Sequence, residues 1–268
     1  MSDSEQQKTQ SKELIVDATG SKVSIALLQN GKLVELQEES TESHVDSLND
    51  VFLGKVKKLL PALNAAFVDI GQEKEAFIHY LDLGINFYCF DEFVRRSNPN
   101  SNLKGVFSHI KCEKPLPKEG KISDVLQVGQ FVLVQIFKEP ISTKGSRLSA
   151  EISLAGRNIV LLPFSSKVSI SSKIESKEEK KRLQALVENI LPKNYCAIIG
   201  TAAEGKNAAV LDAELTSLIS KWESSWKKFA KSKSVQKLFS DYDKTTAMLR
   251  DLLNDSFDAI YINSQDIY

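Results

Sequence analysis

No charge of one sign prevails in this 268-residue chain: Lys+Arg and Asp+Glu both number 35, for a formal net charge of zero. Composition therefore gives no sign of a polyanion binder, and any basic face must arise because the fold segregates its lysines. Cysteine is scarce too. Cys89, Cys112 and Cys196 stand far apart, with no CxxC pair and no Cys/His ligand spacing, which argues against a structural zinc and for a reducing compartment. His44, His79 and His109 are scattered over a linker, a strand and a loop, and no Ser-His-Asp or Cys-His constellation is visible. No apolar run approaches a membrane span, and MSDSEQQKTQSKE lacks the apolar centre of a secretory signal, so the expected location is the cytoplasm.

What the chain does have is strand grammar followed by helix grammar, the pattern of an α+β protein. Residues 1–11 read as a disordered tail. ELIVDA, KVSIALLQ and KLVELQ read as strands, the last two joined by Asn30-Gly31, a strong two-residue hairpin signal. STESHVDSLND is a polar linker into VFLGKVKKLLPALNAAFVDIGQEKEAF, which reads as a meander of three short strands broken at Pro61 and Gly71. From Leu83 to Asp124 periodicity is lost and long loops are expected. Gln130–Phe137 and SLAGRNIVLLP return as strands, with ISTKGSR as a polar loop between them. SKEEKKRLQALVENIL has Ser176 and Glu179 placed as a capping box, with Leu183, Leu186, Val187 and Ile190 on one face. A strand at Ala197–Ile199 follows. A second helix from about Ala208 to Lys231 buries Leu211, Leu215, Leu218, Trp222, Trp226 and Phe229. KTTAMLRDLLND reads as a short helix and Ala259–Ile262 as a strand whose sheet is missing.

The meander combines aromatic side chains, which stack on any base, with lysines that can track a phosphate backbone, as an OB-type barrel needs for single-stranded nucleic acid. Phe67, Phe77, Lys55 and Lys57 are the candidates, with Phe52 a weaker one. The pattern by itself favours barrel core for these phenylalanines. The run GTAAEGK matches GxxxxGK, but Asn207 occupies the Ser/Thr position and no magnesium-holding partner is apparent, so a nucleotide hydrolase is disfavoured. A terminal phosphate at that helix entrance fits better. Asp69 and Asp82 read as turn residues.

Taken in order, GKVKKLLPALNAAFVDIG, EAFIHY, VLVQIFKEP, STKG, ISLAGRNIVLLP, IIGTAAEGK and AELTSLISKWE resemble the N-terminal half of the RNase E/G family of endoribonucleases, from about Glu13 onward. KEEKKRL and TAAEGK are similar in texture to the RNase G forms of the Bacteroidetes group. The resemblance implies an RNase-H-like subdomain at 12–46, an inserted OB-fold barrel of the ribosomal S-one type at 47–138 and a 5′-sensor region at 139–206. A helical return to the RNase-H-like part at 207–257 and the first strand of a truncated nuclease domain at 258–268 complete it. It reverses the reading of the phenylalanines. The RNA-binding residues it implies are Phe67, Phe77, Lys55, Lys138 and Lys144, and the 5′-phosphate sensor would comprise Gly145, Ser149 and Thr201.

Two departures matter. Gly200 stands where the family has an Arg, and SISSKIES has only Lys173 where relatives carry an Arg pair. Loss of a bidentate guanidinium removes about 1.5–3 kcal/mol, so weak discrimination of 5′-monophosphate ends is expected. In the family, Mg2+ held by paired aspartates activates water for phosphodiester hydrolysis, and those aspartates lie beyond Tyr268. No catalytic residue or metal site is thus expected in the chain, leaving open a piece of a longer enzyme or a truncated product that binds without cutting. The implied partner is single-stranded RNA, in ribosomal RNA processing and messenger decay, with room for a homo-oligomer in the full-length form. A non-catalytic single-stranded RNA-binding protein and a ribosome-associated OB-barrel protein are the alternatives.

Overall fold

A computed structural model describes residues 11–19, 22–40, 46–112, 114–142, 144–165, 167–240 and 256–264. The expected N-terminal tail up to residue 10, part of the linker and the helix in KTTAMLRDLLND lie outside them. The chain divides into two units, residues 1–45 with 242–268 and residues 46–241.

In the first unit, β1 (Lys12–Thr19), β2 (Lys22–Gln29) and β3 (Lys32–Ser40) form an antiparallel meander. The β2–β3 turn has Asn30 and Gly31 at φ 52° and 72°, the left-handed conformation these residues adopt most cheaply. Alternation drives Leu14, Val16, Val23 and Ile25 to one face, where they form a small core with Phe257 and Ile262. The C-terminal strand, Ala259–Ile262, which reads in sequence as a strand without its sheet, lies parallel to β1, with Leu14 opposite Ile260 and Val16 opposite Ile262.

The second unit holds a barrel and a helix-covered sheet. β4 (Val51–Leu60), β5 (Ala65–Asp69), β6 (Ala76–His79), β7 (Phe131–Lys138) and β8 (Arg147–Ser149) close in the order β4-β5-β6-β8-β7, β7 returning to pair with β4. The closed ring removes free edges, and its interior is filled by Phe52, Val56, Val68, Ile78, Val134 and Leu148. Phe52 is therefore core, at 1% exposure, and drops out as a surface candidate. Buried Gln135 on β7 satisfies its amide by donating to the Asn49 and Ser153 carbonyls at 2.9 and 2.8 Å.

The stretch read as long loops contains three helices: α1 (Phe87–Arg96), α2 (Leu103–His109) and the single turn α3 (Ile122–Val125). α1 and α2 bury Phe90, Phe93 and Phe107, so burial of aromatic rings outweighs their modest helix propensity. Cys89 on α1 and Cys112 beyond α2 lie side by side, their Cα atoms 5.6 Å apart, a proximity that sequence spacing did not reveal. The second sheet has the order β11-β12-β10-β9, built from β9 (Leu154–Ala155), β10 (Ile159–Pro163), β11 (Ser169–Ile170) and β12 (Tyr195–Ile199). SLAGRNIVLLP is thus a hairpin and not one strand. The sheet packs with α4 (Lys177–Ile190) and α5 (Ala208–Lys231), whose predicted apolar face from Leu211 to Phe229 is buried. Ser176 accepts from the Glu179 amide at 3.2 Å, which is one half of the capping box. β13 (Gln236–Phe239) adds to β4, where the Lys237 ammonium meets Asp50 and Asp46 at 2.7 and 2.8 Å.

Candidate nucleic-acid interface

The barrel register builds the candidate surface. On β5 and β6, Ala66, Val68, Ala76 and Ile78 point inward, so Phe67 and Phe77 must point outward. They stand directly opposite each other, ring centres 6.3 Å apart, edge to face. Following the ladder in both directions adds Lys58 opposite Phe67, Arg147 opposite Phe77, and Lys138 opposite Arg147. One row thus reads Lys58, Phe67, Phe77, Arg147, Lys138 across five strands. Its centre opens into a cleft of about 800 Å³ lined by Leu63, Phe67, Phe77, Lys144, Gly145 and Arg147 among others.

Gly145 is required by close approach. A Cβ there would lie 2.1 Å from the Glu75 carbonyl oxygen, so only glycine lets the loop lie against the end of β6. Ser146 pins the same loop, its hydroxyl donating to Gln72 at 2.9 Å and its carbonyl accepting from the Phe77 amide at 2.8 Å. Lys55 lies further along β4, opposite Asp69, with its ammonium 5.5 Å from the Phe131 ring centre. Asp69 is a turn residue as read: it accepts from the Gly71 amide at 2.9 Å and meets Lys57 at 3.2 Å. That amide bond chiefly, with help from Lys57 and against the opposing effect of burial, lowers its carboxyl below the ordinary value. Lys57 is consequently tied to a carboxylate.

Sequence reasoning missed Lys58 and Arg147. A register shift between Val56 and Lys58 turns Lys58 toward Phe67, whereas simple alternation would have kept it off that face. Arg147 sits on a three-residue strand whose only signal was the buried Leu148 between two polar residues.

The three 5′-sensor candidates are not gathered in one cleft. Ser149 lines a separate cavity of about 480 Å³ with Phe137, Gln135 and Ile198. Its hydroxyl donates to the Asp82 carbonyl at 3.1 Å and accepts from the Glu151 amide at 3.0 Å. Gly200 and exposed Thr201 follow β12 and line neither cleft. Several backbone amides in this loop are engaged: Gly200 donates to Asn158, Ala203 to Gly200, Glu204 to Thr201 and Lys206 to Ala203. The Gly205 amide donates to Glu179 at 2.9 Å. The Arg182 guanidinium first, and that amide second, hold the Glu179 carboxyl down to about 2, and Arg182 also donates to the Lys206 carbonyl at 3.0 Å, so a charge-balanced ion pair lies beside the loop. Asn207 caps α5 by accepting from Val210 at 3.0 Å. Among the described residues no group of three or more His, Cys, Asp or Glu side chains could hold a metal ion, and no helix is long and apolar enough to cross a membrane.

A mixed α+β unit containing a closed five-stranded barrel is consistent with an OB-fold. Comparison with known proteins takes the assignment further. Residues 153–268 match the model of the Ribonuclease E/G family. The chain is 32% identical over 253 residues to "Ribonuclease G" of Haemophilus influenzae and 30% identical over 260 residues to that of Escherichia coli K12. These alignments cover 94% and 96% of this chain and 48% of each relative. Against "Ribonuclease E" of Nostoc the identity is 32% over 231 residues, covering 86% of this chain and 30% of the relative. The chain belongs to the Ribonuclease E/G family. It spans about half the length of the Ribonuclease G relatives it matches.

Proposed function

We propose that the barrel face holds single-stranded RNA, and that the chain is the RNA-binding and 5′-end-sensing half of a magnesium-dependent, single-strand-specific endoribonuclease of ribosomal RNA processing and messenger decay. The observation that carries the binding role is the row Lys58, Phe67, Phe77, Arg147, Lys138, in which two rings are flanked by cations. Rings whose π faces accept any base, between lysines that meet phosphates, suit an unpaired strand. A duplex has its bases already stacked and cannot use them.

The sensing role rests on Ser149, Gly145 and Thr201 and is weak in this chain. Gly200 supplies no guanidinium for a phosphate at this loop. The test of the binding role is titration of single-stranded and duplex RNA of equal length at several salt concentrations. Single strands should bind more tightly, with a log–log salt slope of about −2 to −3 for three or four phosphate contacts. Equal affinity for duplex, or a flat salt response, would remove the reading.

A further inference from the structure

Arg147 is a flat cation, one hydrogen-bonding edge of which is already used. Its Nε donates to Asp82 Oδ2 at 2.9 Å and its Nη2 to Asp82 Oδ1 at 3.2 Å, a two-pronged pair that fixes the plane of the guanidinium. The Phe137 ring, itself 52% exposed, has its centre 5.9 Å from the guanidinium carbon. The Arg147 side chain nevertheless remains 42% exposed and lines the same cleft as Phe67 and Phe77. Register places it on β8 directly beside Phe77. Neighbouring strands lie about 4.8 Å apart, so Phe67, Phe77 and Arg147 present three planar groups on three successive strands.

We propose that Arg147 is a base-stacking platform that extends the two-ring site by a further nucleotide toward Phe137, with Asp82 as its positioning residue. This rests on the reading of the barrel face as an RNA site. The carboxylate neutralises the guanidinium and occupies its Nε/Nη2 edge, while the planar face turned away from Phe137 stays available to a nucleobase. Arg147 then contributes through its plane, and its charge adds little to the salt dependence of binding.

The experiment compares Arg147→Lys with the double variant Asp82→Asn/Arg147→Ala in the full chain, using a labelled single-stranded oligouridylate at several salt concentrations. The lysine keeps the charge and loses the plane; the double variant removes both charges of the pair. Both should lose about 5- to 100-fold in affinity, the range of one base–platform stack, with the wild-type salt slope. Wild-type affinity in Arg147→Lys would overturn the proposal, as would loss in the double variant alone with a slope reduced by about one unit, since each marks a phosphate contact. Phe67→Ala is run alongside. If it binds like wild type, the RNA-site reading fails; if it loses affinity while both Arg147 variants do not, the platform alone fails. Unchanged unfolding midpoints establish that the variants are folded.

Discussion

Two sets of aromatic rings lie in residues 46–241 and meet opposite fates. Phe93, Phe107 and Trp226 stand between α1, α2 and α5 with ring centres 4.9–5.4 Å apart, each no more than 3% exposed. Phe67 and Phe77 make a similar edge-to-face pair at 6.3 Å, yet they point out of the barrel into an open cleft among cations. Composition cannot separate the two sets. The difference lies in direction: the buried rings extend apolar helix faces, whereas the barrel pair occupies the odd positions of strands whose even positions are already core. An aromatic ring left outside a filled barrel is not needed to fill its core, and this supports the proposal that it binds.

The sharpest way to break this contrast is Trp226→Ala. Deleting a ring stacked 4.9 Å from Phe107 should destabilise the protein by about 3–5 kcal/mol in urea unfolding, with oligonucleotide affinity of the folded fraction unchanged. A second test sits at the sensor loop. Gly200 has φ −81°, and a Cβ there would lie 3.3 Å from the Asn158 carbonyl oxygen, so a side chain is accepted with a small shift. Gly200→Arg should raise the preference for 5′-monophosphate over 5′-hydroxyl RNA about ten- to a hundredfold on matched oligonucleotides. Phe67→Leu keeps apolar area and removes the π face. It should leave the unfolding midpoint within about 0.5 kcal/mol and weaken single-strand binding several-fold. The smallest effect is on pH. Glu179 is depressed to about 2 from an ordinary value of 4.5, so its contribution is present above 4.5 and is lost as pH falls toward 2. Amide exchange at Gly205, read relative to the intrinsic rate at each pH, should show protection falling over that window, and Glu179→Gln should abolish the dependence.

Much of this was legible in the residues. The hairpin at Asn30-Gly31, the meander, and α4 and α5 with their buried faces follow from turn chemistry and apolar spacing. What escaped reading depended on distant partners. α1 and α2 are rich in aromatics of modest helix propensity and form because the α5 tryptophans and Phe164 receive them. β8 exists only as the strand that closes the barrel between β6 and β7, and a three-residue run carries no period of its own. The strand Ala259–Ile262 finds its sheet at the opposite end of the sequence. At the candidate site Phe67, Phe77, Lys144 and Gly145 share one cleft, while Lys58 joined the row through a bulge and Arg147 through the unforeseen strand.

The central claim is that the outward rings serve binding and not folding, and Phe67→Ala/Phe77→Ala tests it most directly. Unfolding free energy and single-stranded RNA affinity are measured on the same preparation. The account predicts a midpoint close to wild type with affinity lowered at least tenfold. Wild-type affinity, or a loss of binding explained by a loss of stability of about 3 kcal/mol or more, would contradict it.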